Sequence, residues 1–255
     1  MKNLKSKISV VVPAFNEGEI IEASLREIVR TFDEFGCNYE VVLIDDGSRD
    51  STLKKALKVA DEIPHIKVKR NMENFGKGRA IKKALRYCEG QYIVFLDADL
   101  DLHPGQAQTL FDIMRLDEVD VVIGSKLHPN SQVNYPFHRK IISFIYFLLI
   151  KVMFDLPVHD TQTGLKLFKR EVLEKVFPRM LVKKFAFDLE ILAIARHFGF
   201  RIAESPIVLT PKRPFGRIGL KAMFQTGIDT LAIFYDQYLR GFVADVEVFR
   251  YFIGK

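Results

Sequence analysis

Two cysteines, Cys37 and Cys88, are too few in 255 residues for a disulfide framework, and neither has a C-x-x-C or histidine-rich setting that would hold zinc. Tryptophan is absent altogether. No segment has the charged, apolar and small-residue order of a cleavable secretory signal, so the expectation is a cytosolic chain with reduced thiols. Internal repeats and low-complexity linkers are also missing. Nucleic acid is not an expected partner, because no helix-turn-helix, zinc finger or RNP-type aromatic signature occurs.

What is present is apolar and basic. A hydrophobic content of 48% in 255 residues can bury one large core, and one compact α/β unit follows more readily than two domains. The net charge of +6 is uneven, with acidic residues around 45–50 and 97–101 and basic ones in 66–86, 138–140, 166–184 and 212–221. That distribution suits a phosphate-rich partner or an anionic membrane face, against the plainer alternative of solvated surface lysines.

Short β-branched runs at 8–12, 40–44, 66–69, 92–96 and 120–123 alternate with helical periodicity at 20–35, 51–61, 77–89 and 104–116. Strands alternating with helices of this length predict βαβ units and a mostly parallel sheet covered on both faces. Asp50 and Ser51 stand at a helix start, Gly36 and Gly90 after helix ends, and His103-Pro104 opens another helix. The first break in the pattern is Thr210-Pro211-Lys212-Arg213-Pro214, which divides a domain at 1–210 from a segment at 211–255. Within that segment, 218–252 reads as one or two amphipathic helices, for capping the sheet, docking on a membrane or forming a homo-oligomer.

Residues 141–150 are almost uniformly apolar, with His138-Arg139-Lys140 before them and Lys151 after. As a helix the run would be about 15 Å long, half of a bilayer's roughly 30 Å hydrocarbon core. It cannot span a membrane and is either a buried helix or one lying in the interface.

The strongest chemical signal is Asp97-Ala98-Asp99-Leu100-Asp101, three acidic residues at two-residue spacing directly after an apolar strand. Ligands of open α/β sheets bind outside such strand ends. Alternate carboxylates in a turn can converge on a hard cation, and all-oxygen ligation favours Mg²⁺ or Mn²⁺ over zinc. Asp45-Asp46-Gly47-Ser48 follows its strand in the same manner, and Asp46 is placed to accept from a nucleobase or ribose. A third strand end, Val12-Pro13-Ala14-Phe15-Asn16-Glu17, brings a fixed turn, an aromatic ring and a carboxylate. The glycines of Asn74-Phe75-Gly76-Lys77-Gly78-Arg79 match neither a Walker loop nor a dinucleotide fingerprint, but they set backbone N–H groups and two cations where phosphate is favourable.

In order and spacing, these four runs resemble the nucleotide-binding half of the inverting glycosyltransferases of family 2, which have the GT-A fold, a Rossmann-like, mostly parallel sheet flanked by helices. Further on, Arg139-Lys140-Ile141-Ile142-Ser143, Asp160-Thr161-Gln162-Thr163-Gly164-Leu165-Lys166-Leu167-Phe168 and Phe185-Ala186-Phe187-Asp188-Leu189-Glu190 resemble the polyprenyl-phosphate sugar transferases. The Asp-Thr-Gln-x-Gly and Phe-Ala-Phe-Asp stretches are closer to dolichyl-phosphate β-glucosyltransferases than to the mannosyl enzymes. The resemblance implies a UDP-sugar donor, with GDP-mannose as the alternative, a polyprenyl or dolichyl phosphate acceptor, Mg²⁺ or Mn²⁺, and a peripheral place on the cytoplasmic face of a membrane. It assigns Pro13, Ala14, Phe15, Glu17 and Asp46 to the nucleoside, with Gly76 and Lys77 nearby, and Asp97, Asp99 and Asp101 to the metal and diphosphate. Arg139, Ser143, Lys126 and Arg213 would face the lipid phosphate. Asp160, with Gln162 beside it, would contact the sugar or tune the nucleophile, or else simply form a turn. Lys126 stands where the mannosyl relatives carry arginine, and a lysine is a point charge rather than a bidentate fork. Processive polysaccharide synthases resemble a Q-x-x-R-W signature, which a chain without tryptophan lacks. A membrane-associated nucleotide-sugar-binding protein without turnover is the remaining alternative.

Overall fold

A computed structural model describes residues 6–133, 137–180 and 186–211, together with Thr230, Leu231 and Phe234; for 137–145 it describes the backbone alone. The elements run β1 (Ile8–Ala14), α1 (Ile21–Phe35), β2 (Tyr39–Asp45), α2 (Thr52–Glu62), β3 (Ile66–Arg70), α3 (Lys77–Ala84), β4 (Tyr92–Phe95), α4 (Ala107–Leu116), β5 (Val121–Ser125), β6 (Gln132–Val133), α5 (Phe137–Phe154), β7 (Lys166–Lys169), α6 (Arg170–Val176), α7 (Phe187–His197), β8 (Ile202–Pro206) and β9 (Val208–Leu209). The five strands and four helices expected in the first half are all present, each within a few residues of its expected bounds, except that the third helix ends at Ala84 in a 3-10 turn over Leu85–Tyr87.

The main sheet has seven strands in the order β3-β2-β1-β4-β7-β5-β8. Every neighbouring pair in it is parallel except those made by β7, which is antiparallel to both β4 and β5. The strand interiors alternate between the two faces. Val10 and Val12 of β1 pack with Leu25, Ile28 and Phe32 of α1 on one side, while Val11 packs with Ala80, Ile81 and Ala84 of α3 on the other. Burial of such side chains contributes roughly 1.5–3 kcal/mol each. That burial, rather than helix propensity, holds short helices such as α3 in place.

The expected stops are partly as read. Gly36 ends α1 in the left-handed region at φ 61°, where a side chain would be strained. Gly90 follows no helix directly. It lies so close to the Ile8–Ser9 backbone that an added Cβ would overlap it.

Helix α5 contains the apolar run singled out in the sequence, and the described part of it has a buried and an exposed side. Phe147, Ile150 and Phe154 are buried, whereas Leu148, Leu149 and Val152 point outward. Among the described residues, no helix is long and apolar enough to cross a membrane. The expected amphipathic helices at 218–252 lie outside the described residues, except that Thr230 and Phe234 touch α5 through Tyr146 and Phe154.

Candidate active site

The polar groups gather at one edge of the sheet because of how β7 runs. Parallel strands β1, β2, β4 and β5 all finish at that edge, and an antiparallel strand begins where its neighbours end. Lys166, the first residue of β7, therefore pairs with Phe95 and Ile123, and the turn at 160–164 arrives beside Asp97 and Lys126.

The first two strand ends are stitched together by their loops. Asp46 N–H donates to the Ala14 carbonyl at 2.8 Å, Asn16 N–H to Ser48 Oγ at 2.9 Å, Glu17 N–H to Thr52 Oγ1 at 2.8 Å and Gly18 N–H to Asp50 Oδ2 at 2.9 Å. Asn16 takes up a left-handed backbone at φ 54° to make this corner. Phe15 is left 41% exposed, an unusual state for a phenylalanine beside a fully packed strand. Pro13 is partly covered and Ala14 is buried.

Asp46 has protein partners on both carboxylate oxygens. Asn71 Nδ2 and Phe75 N–H donate to Oδ1 at 2.6 and 3.2 Å, and Gly76 N–H donates to Oδ2 at 2.8 Å. The N–H groups of Phe75 and Gly76, expected to face phosphate, are thus spent on Asp46. What this carboxylate does is shape the loop that delivers Lys77. Gly76, at φ 92°, makes the sharp entry into α3, and Lys77 leads the helix with its ammonium on Asp97 Oδ1.

Asp97 is a focus of positive charge. Burial works to raise its pKa, but Lys77, Lys166 and Lys126 outweigh it and hold the carboxyl below the usual range. Its neighbour behaves in the opposite way. Asp99 is pushed up to about 6 by burial, then by the negative charge of Asp97, with Asp101 and Glu17 adding to the effect. The turn between them is tight: Leu100 N–H donates to the Asp97 carbonyl at 3.2 Å, and Leu100, a buried non-glycine residue, sits at φ 51°. Backbone strain of this kind persists only where surrounding packing over-determines it.

Asp101 stays beside this pair, its N–H donating to Asp99 Oδ1 at 3.2 Å. Among the described residues, no three His, Cys, Asp or Glu side chains are grouped so that they could hold a metal ion. The left-handed residue at Leu100 turns the chain, and Asp101 continues toward β9, its carbonyl accepting from Thr210 N–H at 2.9 Å.

The second half of the chain supplies the other wall. Asp160 accepts from Gln162 N–H at 3.0 Å, Thr163 Oγ1 at 2.9 Å and Lys126 N–H at 3.1 Å, with Lys126 Nζ 3.4 Å away. These bonds are the turn-forming alternative read from the sequence. Burial would raise the Asp160 pKa, but Lys126 and the N–H donors depress it. Arg139 and Ser143 fall in the part of α5 described by backbone alone, and Arg213 lies outside the described residues.

Sequence reasoning assigned no role to Lys166, Asp188, Gly164 or Tyr146. Lys166 is 1% exposed and donates to the Thr163 carbonyl and, at 2.5 Å, to Asp188 Oδ1 in the first turn of α7. A signal was available: Leu165, Leu167 and Phe168 around Lys166 are all core residues, and a lysine buried among them needs a carboxylate. Tyr146, at the described end of α5, reaches Thr230 Oγ1 at 3.2 Å and bonds with Gln162.

Residues 9–177 match the family described as Glycosyl transferase family 2, and the chain belongs to that family. Its curated relatives include the dolichyl-phosphate beta-glucosyltransferase of Dictyostelium discoideum, 30% identical over 77% of this chain and 64% of that protein. ALG5A of Trichomonas vaginalis, a protein of the same description, is 32% identical over 78% of this chain and 64% of its own length. Glycosyltransferase AglD of Haloferax volcanii is 31% identical over 81% of this chain and 33% of that protein. This chain therefore spans less than two thirds of the length of each. Among solved structures, glucosyl-3-phosphoglycerate synthase from Mycobacterium tuberculosis, in complex with Mn²⁺, UDP and glucosyl-3-phosphoglycerate, superposes with a TM-score of 0.69 at 20% identity, covering 91% of this chain and 80% of that one. Mannosyltransferase PcManGT from Pyrobaculum calidifontis, with GDP-Man and Mn²⁺, gives 0.63 at 22% identity over 94% of this chain and 66% of that one. These likenesses establish the fold as the expected GT-A type.

Proposed function

We propose that this chain moves one sugar, glucose from UDP-glucose, onto the phosphate of a polyprenyl or dolichyl lipid at a membrane surface, inverting the anomeric centre and using a divalent cation. The observation that carries the reading is the pair Asp97 and Asp99 at the end of β4, where burial and then the crowding charge of Asp97 push Asp99 up to about 6. Such crowding is what a divalent cation relieves. Mg²⁺ and Mn²⁺ commonly take one or two carboxylates and complete their shell with substrate phosphates and water, so Asp97 and Asp99 suffice, with Asp101 proposed as a further ligand beside them. Asp97 and Asp99 would hold the cation, and a bound cation supplies charge neutralisation to the departing diphosphate.

The remaining roles follow from charge and position. Phe15 and Glu17 are proposed to face the nucleoside, with Asp46 acting through the loop it shapes. Lys77 is proposed to bind the diphosphate. The acceptor is a phosphate monoester whose oxygen is anionic near neutral pH, so no strong general base is required. Its nucleophile needs orientation, which we assign to Arg139 and Ser143 in the first turns of α5, with Lys126 and Arg213 as further cations. Asp160 then holds the acceptor-side turn and Lys126 in position. The outward Leu148, Leu149 and Val152 of α5 support a peripheral seat in the interface. The relatives' names support the acceptor class and the glucose.

A panel of UDP-glucose, UDP-galactose and GDP-mannose, with polyprenyl phosphate and Mg²⁺ or Mn²⁺, tests this. Lipid-linked hexose formed from UDP-glucose and suppressed by EDTA is the expected result. Transfer from GDP-mannose alone would replace the donor, and no transfer from any donor would overturn the enzyme reading.

A further inference from the structure

Lys77 and Asp97 both belong to the set proposed above for cation and donor, yet they are bonded to each other. The Lys77 ammonium sits on Asp97 Oδ1, while the other side of that carboxylate is closed by Gly164, where an added Cβ would overlap Oδ2. Lys166 and Lys126 add positive charge from beyond. An Asp97 so held offers a divalent cation a carboxylate that is already neutralised.

The backbone that leads to Lys77 is hydrogen-bonded, and the lysine side chain is a long one with several rotatable bonds. Asp46 accepts from the Phe75 and Gly76 N–H groups, and Gly76 sets the entry into α3, so the backbone leading to Lys77 is tied to the end of β2. Its four-carbon stem is flexible and about a third exposed. Asp99 and Asp188 also attract the ammonium, and the Phe187 ring centroid lies 6.0 Å from it. The ammonium can therefore leave Asp97 without leaving a favourable region.

We infer that Lys77 is a built-in rival of the divalent cation for Asp97, and that a nucleoside diphosphate lifts the rivalry by drawing the ammonium onto its own oxygens. The inference rests on the cation-and-donor reading of this site. It makes cation loading conditional on the donor, and by linkage the donor's diphosphate binds more tightly once the cation is in place. A cation bound without donor would be held weakly.

The test is Mn²⁺ binding to the full chain, followed by electron paramagnetic resonance of free Mn²⁺ with and without UDP. Wild type, Lys77→Met, Lys77→Gln and Lys77→Arg are compared, each checked for native circular dichroism. In the absence of UDP, the Met and Gln variants are expected to bind Mn²⁺ roughly tenfold more tightly than wild type, while Arg stays near wild type. With Mn²⁺ saturating, the Met and Gln variants are expected to bind UDP more weakly. Those opposite signs are not produced by a merely structural lysine. Unchanged or weakened UDP-free Mn²⁺ affinity in the Met and Gln variants overturns the inference and leaves the proposed function standing. Failure of wild type to bind Mn²⁺ even with UDP overturns the cation reading itself.

Discussion

Gly164 lies against the carboxylate of Asp97 so closely that a β-carbon at this position would overlap Oδ2 and Cγ. A glycine in the turn at 160–164 thereby sets the position of a carboxylate at the end of β4. Gly164→Ala is expected to displace Asp97 and to lower transfer by about a hundredfold, the usual scale for a misplacement near 1 Å. The melting temperature should change little, because the methyl group can be relieved by moving a half-exposed side chain. A variant that melts normally and transfers normally would contradict this contact.

Asp99→Asn separates function from stability. The folded Asp99 carboxyl, at about 6, lies above its unfolded value near 3.9, so the folded chain holds the proton more tightly and loses stability as pH rises between those values. Asparagine removes that loss. In EDTA at pH 7 the variant is expected to melt at or above the wild-type temperature, while transfer falls by roughly a thousandfold. Melting curves and a lipid-linked sugar assay check both halves.

Lys166 and Asp188 form a buried ion pair in which burial, followed by the nearby Lys77 charge, works to lower the lysine's pKa while Asp188 opposes the shift. Asp188→Asn leaves an uncompensated ammonium and is expected to cost about 3 kcal/mol of stability. The double replacement Lys166→Met with Asp188→Leu should restore most of that stability. It should not restore transfer, because Asp97 loses an ammonium that keeps it ionised. Equal recovery of both properties in denaturant melts and kinetics would reduce the pair to a packing element.

Glu40 provides a contrast at the opposite edge of the sheet. It is 1% exposed, accepts from Ser9 Oγ at 2.7 Å and from Glu89 N–H at 2.5 Å, and lies 2.7 Å from Lys67 Nζ. Burial would raise its pKa, but Lys67, Ser9 and the Glu89 N–H outweigh it and depress the value. Its stabilising contribution is complete above the unfolded value of about 4.3 and is lost as pH falls through the lower folded value. Glu40→Gln should cost about 2 kcal/mol near neutral pH, flatten the acid limb of the stability curve, and leave kcat unchanged.

Leu149→Glu with Val152→Glu places charge on the outward face of α5. Sedimentation with anionic lipid vesicles should show binding weakened by at least roughly tenfold, while transfer to a short, water-soluble prenyl phosphate is retained. Undiminished vesicle binding would overturn the proposed seat of this helix in a membrane interface.

The first half of the fold was legible because each strand and helix there announces itself by local periodicity, as β1 with α1 and β2 with α2 do. Strand β7 was not legible as such. It has four residues, and its antiparallel place between β4 and β5 is fixed by pairing across more than forty residues of sequence, which no local pattern encodes. The site divides in the same way. Asp97 and Asp99 stood out as charged residues after an apolar strand, whereas their unequal electrostatics depend on Lys77, Lys126 and Lys166 arriving from three other elements. The two-residue spacing of Asp99 and Asp101 likewise does not reveal the left-handed turn at Leu100 between them.

The seat of β7 has a consequence for how this protein can be taken apart. A fragment stopping at Ser125 would keep β4 but strip away the strand bonded to its free side, leaving a row of unsatisfied peptide groups ready to pair with another molecule. The two halves of the chain are therefore not exchangeable cassettes, and a chimera that respects the architecture has to carry the turn at 160–164 and β7 across as one piece.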